Sequence, residues 1–192
     1  MIKVNVEANN KPWHKKIKNP KKYFSRKLKK ISKIVPFFKR KNVTFTIFLT
    51  NSFIIKKLNK KFRKQNKPTD VLSFPFFSQK KLKLSKEKDI YIGDVATCYE
   101  IINIRSRKTN FFFEFDKAWV HGLLHLVGYN HIKNKDYIEM DKIENEKKFT
   151  NDKLYGEKPI IVTAPNISGA KNITKNLLFN KESKLKSLLS SN

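Results

Sequence analysis

The chain begins with alternating apolar and polar residues, in which polar side chains separate Ile2, Val4 and Val6. Alternation is typical of a β-strand with one buried face, so a strand is predicted over residues 1–8. Residues 43–49 are rich in β-branched and aromatic residues and predict a second strand. With two further extended segments, the predicted strands lie near residues 2–7, 43–49, 71–77 and 89–93.

Between the strands, apolar residues recur every three or four positions, which is the period of a helix with one buried face. The helix that ends near Arg63 is expected to turn Phe53, Ile54, Leu58 and Phe62 inward. Helices are predicted over residues 21–35, from 50–52 to about 63, over 95–108, about 112–127 and 134–149.

Two polar stretches, 9–20 and 78–88, are expected to be loops. After about residue 150 the periodicity fades, and the last residues are rich in Ser and Lys. We therefore predict one domain over residues 1–150 and a basic, weakly structured tail over 151–192. The expected fold class is α/β: a small mixed β-sheet packed with helices, one of which is central, buried and carries histidines.

The predicted helix near 112–127 is apolar on almost every side and carries two of the chain's four histidines. His121 and His125 are four residues apart, so a helix places both imidazoles on one face, one turn apart. Gly128 is suited to end the helix in a left-handed turn, after which the chain can carry His131 back to the same point. Three neutral imidazoles and one open position are the ligand set of a catalytic zinc ion. We therefore predict one zinc per chain, held by His121, His125 and His131.

The spacing of these histidines equals that of the metzincin proteases, with one difference. In those enzymes Glu follows the first histidine as the general base, whereas this chain has Gly122. A zinc peptidase is therefore the weaker alternative, because the metal scaffold lacks the protease base. Histidines that only pack in an apolar core are a further alternative, but three histidines at chelating intervals make it a poor explanation.

The histidine motif, H-G-L-L-H-L-V-G-Y-N-H, resembles the signature of the YbeY family. Members of that family are single-strand-specific metallo-endoribonucleases of bacterial ribosomal RNA maturation. A second stretch, from Leu58 to Pro75, is similar to the family's other long motif, and Gly93 with Asp94 matches its Gly-Asp pair. The chain departs from the family at Asn130, where Asp is usual, so any role for a carboxylate at that position is lost.

The resemblance implies an α/β endoribonuclease that cleaves single-stranded RNA with zinc as its cofactor. It also implies maturation of the 3′ end of small-subunit (16S) ribosomal RNA and ribosome quality control, with ribosomal RNA and the small ribosomal subunit as partners. In the family, the arginine that matches Arg63 lies near the metal and is needed for activity; without the resemblance, Arg63 would be interpreted as a helix-terminal cation. Asp70 and Asp94 are candidate catalytic carboxylates, although each is equally suited to a turn or a cap.

The formal net charge is +27. Such a charge suits a polyanionic partner, above all nucleic acid. Most of the excess is lysine, which an AT-rich genome also favours, so the charge supports RNA binding without identifying it. A chain with only five arginines is expected to keep them where planar, bidentate geometry matters.

The first residues lead into alternation rather than an apolar segment, and no apolar stretch is long enough for a membrane helix. A cytoplasmic protein without a membrane partner is therefore expected. The single Cys98 excludes an intrachain disulfide. If Cys98 approached the histidines as a fourth ligand, the zinc would be structural and the protein a non-catalytic RNA-binding assembly factor.

Overall fold

The computed structural model describes residues 1–8 and 10–129, with Ile138 and Ile143 as isolated positions. The predicted helix 134–149, the predicted tail 151–192 and the predicted zinc ligand His131 lie outside those residues. Within the described part, no helix is long and apolar enough to cross a membrane.

A four-stranded mixed sheet forms the centre of the molecule, as predicted. Its strands are β1 (Ile2–Ala8), β2 (Asn42–Thr50), β3 (Val71–Pro75) and β4 (Asp89–Cys98). They lie in the order β1-β2-β4-β3, with β1, β2 and β4 parallel and β3 antiparallel to β4. The parallel pairs need crossover connections, which the helices between the strands supply. The α/β fold class is thereby confirmed.

Seven α-helices and one 3₁₀ turn pack around this sheet in the described residues. They are α1 (Lys11–Lys16), α2 (Pro20–Ile34), α3 (Pro36–Arg40), α4 (Ser52–Arg63), α5 (Gln79–Leu84), α6 (Tyr99–Arg105), the 3₁₀ turn Ser106–Lys108 and α7 (Phe111–Leu126). The long helices begin where a side chain accepts a hydrogen bond from the first turn, as Asn19, Asn51 and Asn110 do for α2, α4 and α7.

The two faces of the sheet carry separate apolar clusters. On what we call the α7 face, Val71, Ser73 and Val95 meet Gly122 of α7. On the opposite α4 face, the cluster combines sheet residues with α4 and comprises Phe48, Ile55, Leu58, Leu72, Phe74, Ala96 and Cys98. Since side chains alternate along a strand, neighbouring residues of β3 and β4 face opposite ways.

The predicted loop over 9–20 is wrong, because the stretch contains α1 and the start of α2. Its prolines occupy the first turns of these helices, where a missing N–H costs nothing. Trp13 of α1 is fully buried, and its indole Nε1 donates to the Thr50 carbonyl oxygen at 2.8 Å. One large buried side chain anchors this short helix, without any periodic apolar stripe.

The predicted loop over 78–88 is also partly wrong, because it contains α5, which buries Leu82. Strand β4 does not end at Gly93 but continues to Cys98, so the helix predicted from residue 95 begins only at Tyr99. Gly93 lies at an irregularity in the β2–β4 register and has φ +133, a conformation that glycine adopts readily. The glycine therefore bends the strand without ending it.

The predicted limits of α4 are correct, but the predicted buried face is rotated. Phe53 is 52% exposed, whereas Ile55 is fully buried and Asn59 is 1% exposed. The buried stripe of α4 therefore runs through Ile55, Leu58 and Asn59, with Phe62 packed beside it.

Candidate active site

The helix that carries the histidines is fixed in the core by a buried carboxylate. Asp116 of α7 is 2% exposed and accepts hydrogen bonds from Tyr23 Oη at 2.5 Å and Trp119 Nε1 at 2.9 Å. Its other oxygen pairs with Lys27 Nζ at 2.5 Å. Burial, and then the charge of Asp116, raise the pKa of Tyr23 far above its usual value, so the phenol stays a proton donor. These contacts join α2 to α7 and fix the position of α7 relative to α2.

His121 and His125 lie one turn apart on α7, with their Nε2 atoms 2.7 Å from each other. The side chains are buried, with His121 at 0% and His125 at 6% exposure. His125 Nδ1 lies 2.8 Å from the Tyr129 carbonyl oxygen. A carbonyl oxygen only accepts, so Nδ1 of the neutral ring carries the proton and the lone pair lies on Nε2. Backbone hydrogen bonds of this kind orient metal-binding histidines.

The converging Nε2 atoms suit a shared cation. Two neutral nitrogens bound to a tetrahedral zinc ion at roughly 2.0–2.1 Å lie about 3.3 Å apart. A small opening of the observed pair would therefore admit zinc between them, and the donor set is one that zinc prefers. Among residues 1–8, 10–129, 138 and 143, no cluster of three or more potential ligands forms. His131 lies outside this range, so the three-histidine zinc site stays a prediction.

The turn after α7 has the predicted glycine geometry. Gly128 has φ +96, in the left-handed region, and its N–H donates to the His125 carbonyl oxygen at 3.1 Å. Gln79 Nε2 donates to the Gly128 carbonyl oxygen at 3.0 Å and so ties the start of α5 to this turn. The helix therefore ends in a turn just beyond His125, as predicted, whereas the return of His131 to the same point stays a prediction.

Gly122, which stands where the metzincin proteases have their base, faces the sheet. A Cβ at this position would lie 2.7 Å from Val95 Cγ1 and 3.1 Å from Ser73 Oγ. Ser73 Oγ donates to the Gly122 carbonyl oxygen at 3.1 Å, so helix and strand are in direct contact. A side chain at position 122 would press on Val95 and Ser73, so this position has little room for the Glu of the peptidases. The fold thus counts against the peptidase alternative.

Gly122→Ala should therefore destabilise the protein, by about 1–3 kcal/mol, because the new methyl group overpacks the helix–sheet contact. At an exposed helical site the same change stabilises by roughly 0.5–1 kcal/mol, so the sign of the effect is diagnostic. Urea unfolding of both proteins measures it. A more stable Gly122→Ala variant would show that α7 does not pack on the sheet through this residue.

Arg63 is the last residue of α4, beside the edge strand β3. Phe62, its neighbour, packs against Phe74 of β3 with ring centroids 5.2 Å apart. Lys64 ends the helix with φ 59, and Asn59 Nδ2 donates to the Lys67 carbonyl oxygen at 2.7 Å. The loop after Arg63 is thereby tied back to the helix.

Partial burial lowers the pKa of Arg63 from its usual value, although the guanidinium stays charged at neutral pH. Within the described residues no ion pair is found for Arg63, in contrast to Lys27, which pairs with Asp116, and Arg105, which pairs with Asp70. A partly desolvated guanidinium without a carboxylate is well suited to bind a phosphate.

The candidate carboxylates are engaged in other contacts. Asp70 is 1% exposed and forms an ion pair with Arg105 at the end of α6. Its second oxygen accepts a hydrogen bond from Thr69 Oγ1 at 3.0 Å. Asp94 alternates with Val95 and so lies on the α4 face, where it accepts a hydrogen bond from Tyr91 Oη. The structure therefore does not bring Asp94 together with the histidines of α7.

Cys98 also lies on the α4 face, across the sheet from α7. Its Sγ is 3.4 Å from both Ser52 Oγ and Glu100 Oε2. Burial raises the pKa of the Cys98 thiol to about 11, which disfavours the thiolate that zinc requires. Cys98 is therefore not placed to close the predicted zinc site.

Arg105, which neutralises Asp70, was not predicted from the sequence. Arg105 is one of only five arginines in the chain, so the expectation that arginines mark sites of fixed geometry could have identified it. Its partner could not have been identified, since residues 70 and 105 meet only through the folded sheet.

Comparison with known proteins confirms the resemblance seen in the sequence. The family model described as Endoribonuclease YbeY matches residues 7–150. The endoribonuclease YbeY of Pelagibacter ubique is 44% identical over 149 residues, which cover 76% of this chain and 93% of that protein. The corresponding protein of Buchnera aphidicola subsp. Acyrthosiphon pisum is 40% identical over 151 residues, which cover 76% and 88%.

A solution structure of a Thermotoga maritima protein overlays with a TM-score of 0.47 at 25% identity and covers 82% of this chain and 100% of the other. Family membership rests on the sequence matches alone. They span the histidine helix, the Arg63 loop and the sheet between them. The chain belongs to the endoribonuclease YbeY family.

Proposed function

We propose that this protein is a zinc-dependent endoribonuclease that cleaves single-stranded RNA. The observation that carries the proposal is the pair of buried imidazoles on α7, whose Nε2 atoms converge to 2.7 Å in a chain of this family. Two neutral imidazoles at this distance can share one N–H···N hydrogen bond, and the same two nitrogens can bind one cation. The resemblance to a family of metallo-endoribonucleases favours the cation.

His121, His125 and His131 would hold the zinc ion. When bound, such an ion lowers the pKa of water towards neutrality and stabilises the negative charge of a phosphodiester. The protein's own part is positional: the Tyr129 carbonyl oxygen orients His125, and the packing of Gly122 on the sheet fixes the helix. The donors are thereby held in place before the substrate arrives.

Arg63 would bind the scissile phosphate. Its guanidinium can donate two parallel hydrogen bonds to the non-bridging oxygens and stabilise the charge that grows there during hydrolysis. The last turn of α4 packs on one face of β3 and α7 packs on the other. What supports the role is the family motif that contains Arg63 and its partly buried guanidinium, and the distance from Arg63 to the histidines and to the substrate phosphate stays a prediction.

Asp70 and Asp94 stay predicted catalytic residues, but their contacts support positioning roles. The ion pair of Asp70 with Arg105 fixes the start of β3, directly after the Arg63 loop. Asp94 holds the Tyr91 hydroxyl on the α4 face. A general base among the described residues is not required if the water is activated by the metal itself.

The biological role that we propose is maturation of the 3′ end of 16S ribosomal RNA and ribosome quality control, in the cytoplasm and on the small ribosomal subunit. Family membership supports this role, and the net charge of +27 suits a ribosomal RNA partner. The alternative of a non-catalytic assembly factor with a structural zinc loses its proposed fourth ligand, because Cys98 lies across the sheet from α7.

The zinc-loaded protein should cleave an unstructured RNA and leave casein intact, because a phosphate-binding arginine is present and the peptidase base is absent. The measurement compares single-stranded RNA, a duplex of the same sequence and casein, each with wild type and His121→Ala. Only the single strand should be cut, and only by wild type. Zinc-dependent casein cleavage that disappears in His121→Ala would instead establish a peptidase.

A further inference from the structure

We propose that Phe76 is a stacking platform for the single-stranded RNA substrate. The exposed face of its ring would contact the face of a nucleobase beside the scissile phosphate. The inference rests on the proposed ribonuclease function and adds a substrate-binding residue to it. Phe76 follows β3 directly, and 40% of its surface is exposed.

The ring of Phe76 is held rigidly by its neighbours. Tyr91 meets it edge-on with centroids 5.8 Å apart, and Phe77 does so at 4.9 Å. The Phe76 N–H donates to the Ile92 carbonyl oxygen at 3.0 Å. A Cβ at Gly93 would collide with the Phe74 carbonyl oxygen and come within 3.0 Å of Phe76 N, so this close approach needs glycine.

Tyr91 is itself held in place, and the buried carboxylate of Asp94 is one of the groups that hold it. The Tyr91 hydroxyl donates to Asp94 and lies 2.9 Å from Thr46 Oγ1 on β2. The adjacent Gly93 and Asp94 thus support Phe76 in two ways: the glycine admits its backbone, and the carboxylate orients the ring beside it. An exposed aromatic ring with such support is preorganised for contact with a flat partner.

Phe76 occupies the chain segment that joins the two halves of the candidate site. Two residues before it, Phe74 packs against Phe62, the neighbour of Arg63. Three residues after it, Gln79 bonds to the Gly128 carbonyl oxygen in the turn that follows His125. This segment, which contacts both helices, is where we place the base of the bound nucleotide.

The surroundings of Phe76 favour RNA over an apolar partner. The stretch 76–86 carries Lys80, Lys81, Lys83 and Lys86 and contains no acidic residue. Lysines beside an exposed aromatic ring are the combination found in proteins that bind single strands, where phosphates meet the cations and bases stack on the ring. A paired base cannot offer its face in this way, which accounts for a preference for single strands.

The test measures equilibrium binding by fluorescence anisotropy, using the zinc-loaded full-length protein and a 2′-O-methyl single-stranded oligonucleotide checked for integrity after each titration. Phe76→Leu keeps an apolar side chain and removes the π-face, so its Kd should rise roughly 5- to 150-fold. Phe76→Trp keeps the π-face and should bind at least as tightly as wild type. Affinity for a duplex of the same sequence should be the same for all three proteins.

Phe112→Leu is the matched control. Phe112 is 38% exposed and also contacts aromatic rings, but it lies at the start of α7, more than three helical turns from His125. Its replacement should leave Kd unchanged.

Wild-type affinity in Phe76→Leu, or an equal loss in Phe112→Leu, would overturn the assignment while leaving the ribonuclease proposal intact. If Phe76→Leu proved less folded by circular dichroism, Phe76→Trp and Phe76→Tyr would still decide: weaker binding by both well-folded aromatic variants contradicts stacking. A wild-type protein that binds no single-stranded RNA would overturn both proposals.

Discussion

His125→Ala should reduce the zinc content of the purified protein from about one ion per chain to nearly none and abolish RNA cleavage. The imidazole contributes one of three predicted ligands, and its Nε2 lies 2.7 Å from that of His121. With two ligands left, a zinc ion exchanges readily with water and is lost during purification. Elemental analysis by mass spectrometry against protein concentration measures the ratio.

The control for this experiment is His14→Ala. His14 is the remaining histidine of the four, and it is exposed on α1, away from the buried pair. This variant should keep the zinc and the activity of wild type. A His125→Ala protein that retains about one zinc per chain would show that the metal, if any, binds elsewhere.

Arg63→Lys should slow RNA cleavage by roughly 10²–10³-fold, the scale of losing one donor to a developing negative charge. Lysine keeps the positive charge but loses the fork that binds two phosphate oxygens. Zinc content and unfolding temperature should stay near those of wild type, since no ion pair in the described residues involves Arg63. Single-turnover cleavage at saturating enzyme isolates the chemical step.

Arg40→Lys is the matched control, because Arg40 is also the last residue of a helix and is exposed. It tests whether any helix-terminal guanidinium matters for the rate, and its effect should be negligible. Arg63→Ala should be slower than Arg63→Lys and equally folded. Near-wild-type cleavage by Arg63→Lys would reduce Arg63 to a cation at a helix end and remove it from the active site.

Periodicity was sufficient to predict the larger elements of the fold. In the strands, α2 and the histidine helix, apolar residues repeat often enough to distinguish a strand from a helix and to identify the buried face. Helices α1 and α5 have six residues each and depend on one buried side chain, Trp13 or Leu82, which no short pattern distinguishes from a loop. Long-range packing determines these two helices.

The site was predictable as far as spacing within one helix determines geometry. His121 and His125 meet because four residues make about one helical turn. Asp94 and Cys98 lie on the α4 face because β4 continues past Gly93. The sequence had predicted that the strand ends at that glycine. The contact of Gly122 with Val95 and Ser73 also arises between elements distant in sequence. Short-range patterns therefore predicted the candidate ligands but not the residues that support them.

The most direct measurement is the anomalous difference density of crystals of the purified protein, recorded on both sides of the zinc absorption edge. We predict one strong peak per chain, at about 2.0–2.1 Å from the Nε2 atoms of His121 and His125, with a nitrogen of His131 at a similar distance. An ordered structure in which the three imidazoles diverge, or in which the zinc peak lies away from α7, would contradict a zinc-dependent ribonuclease centred on this helix.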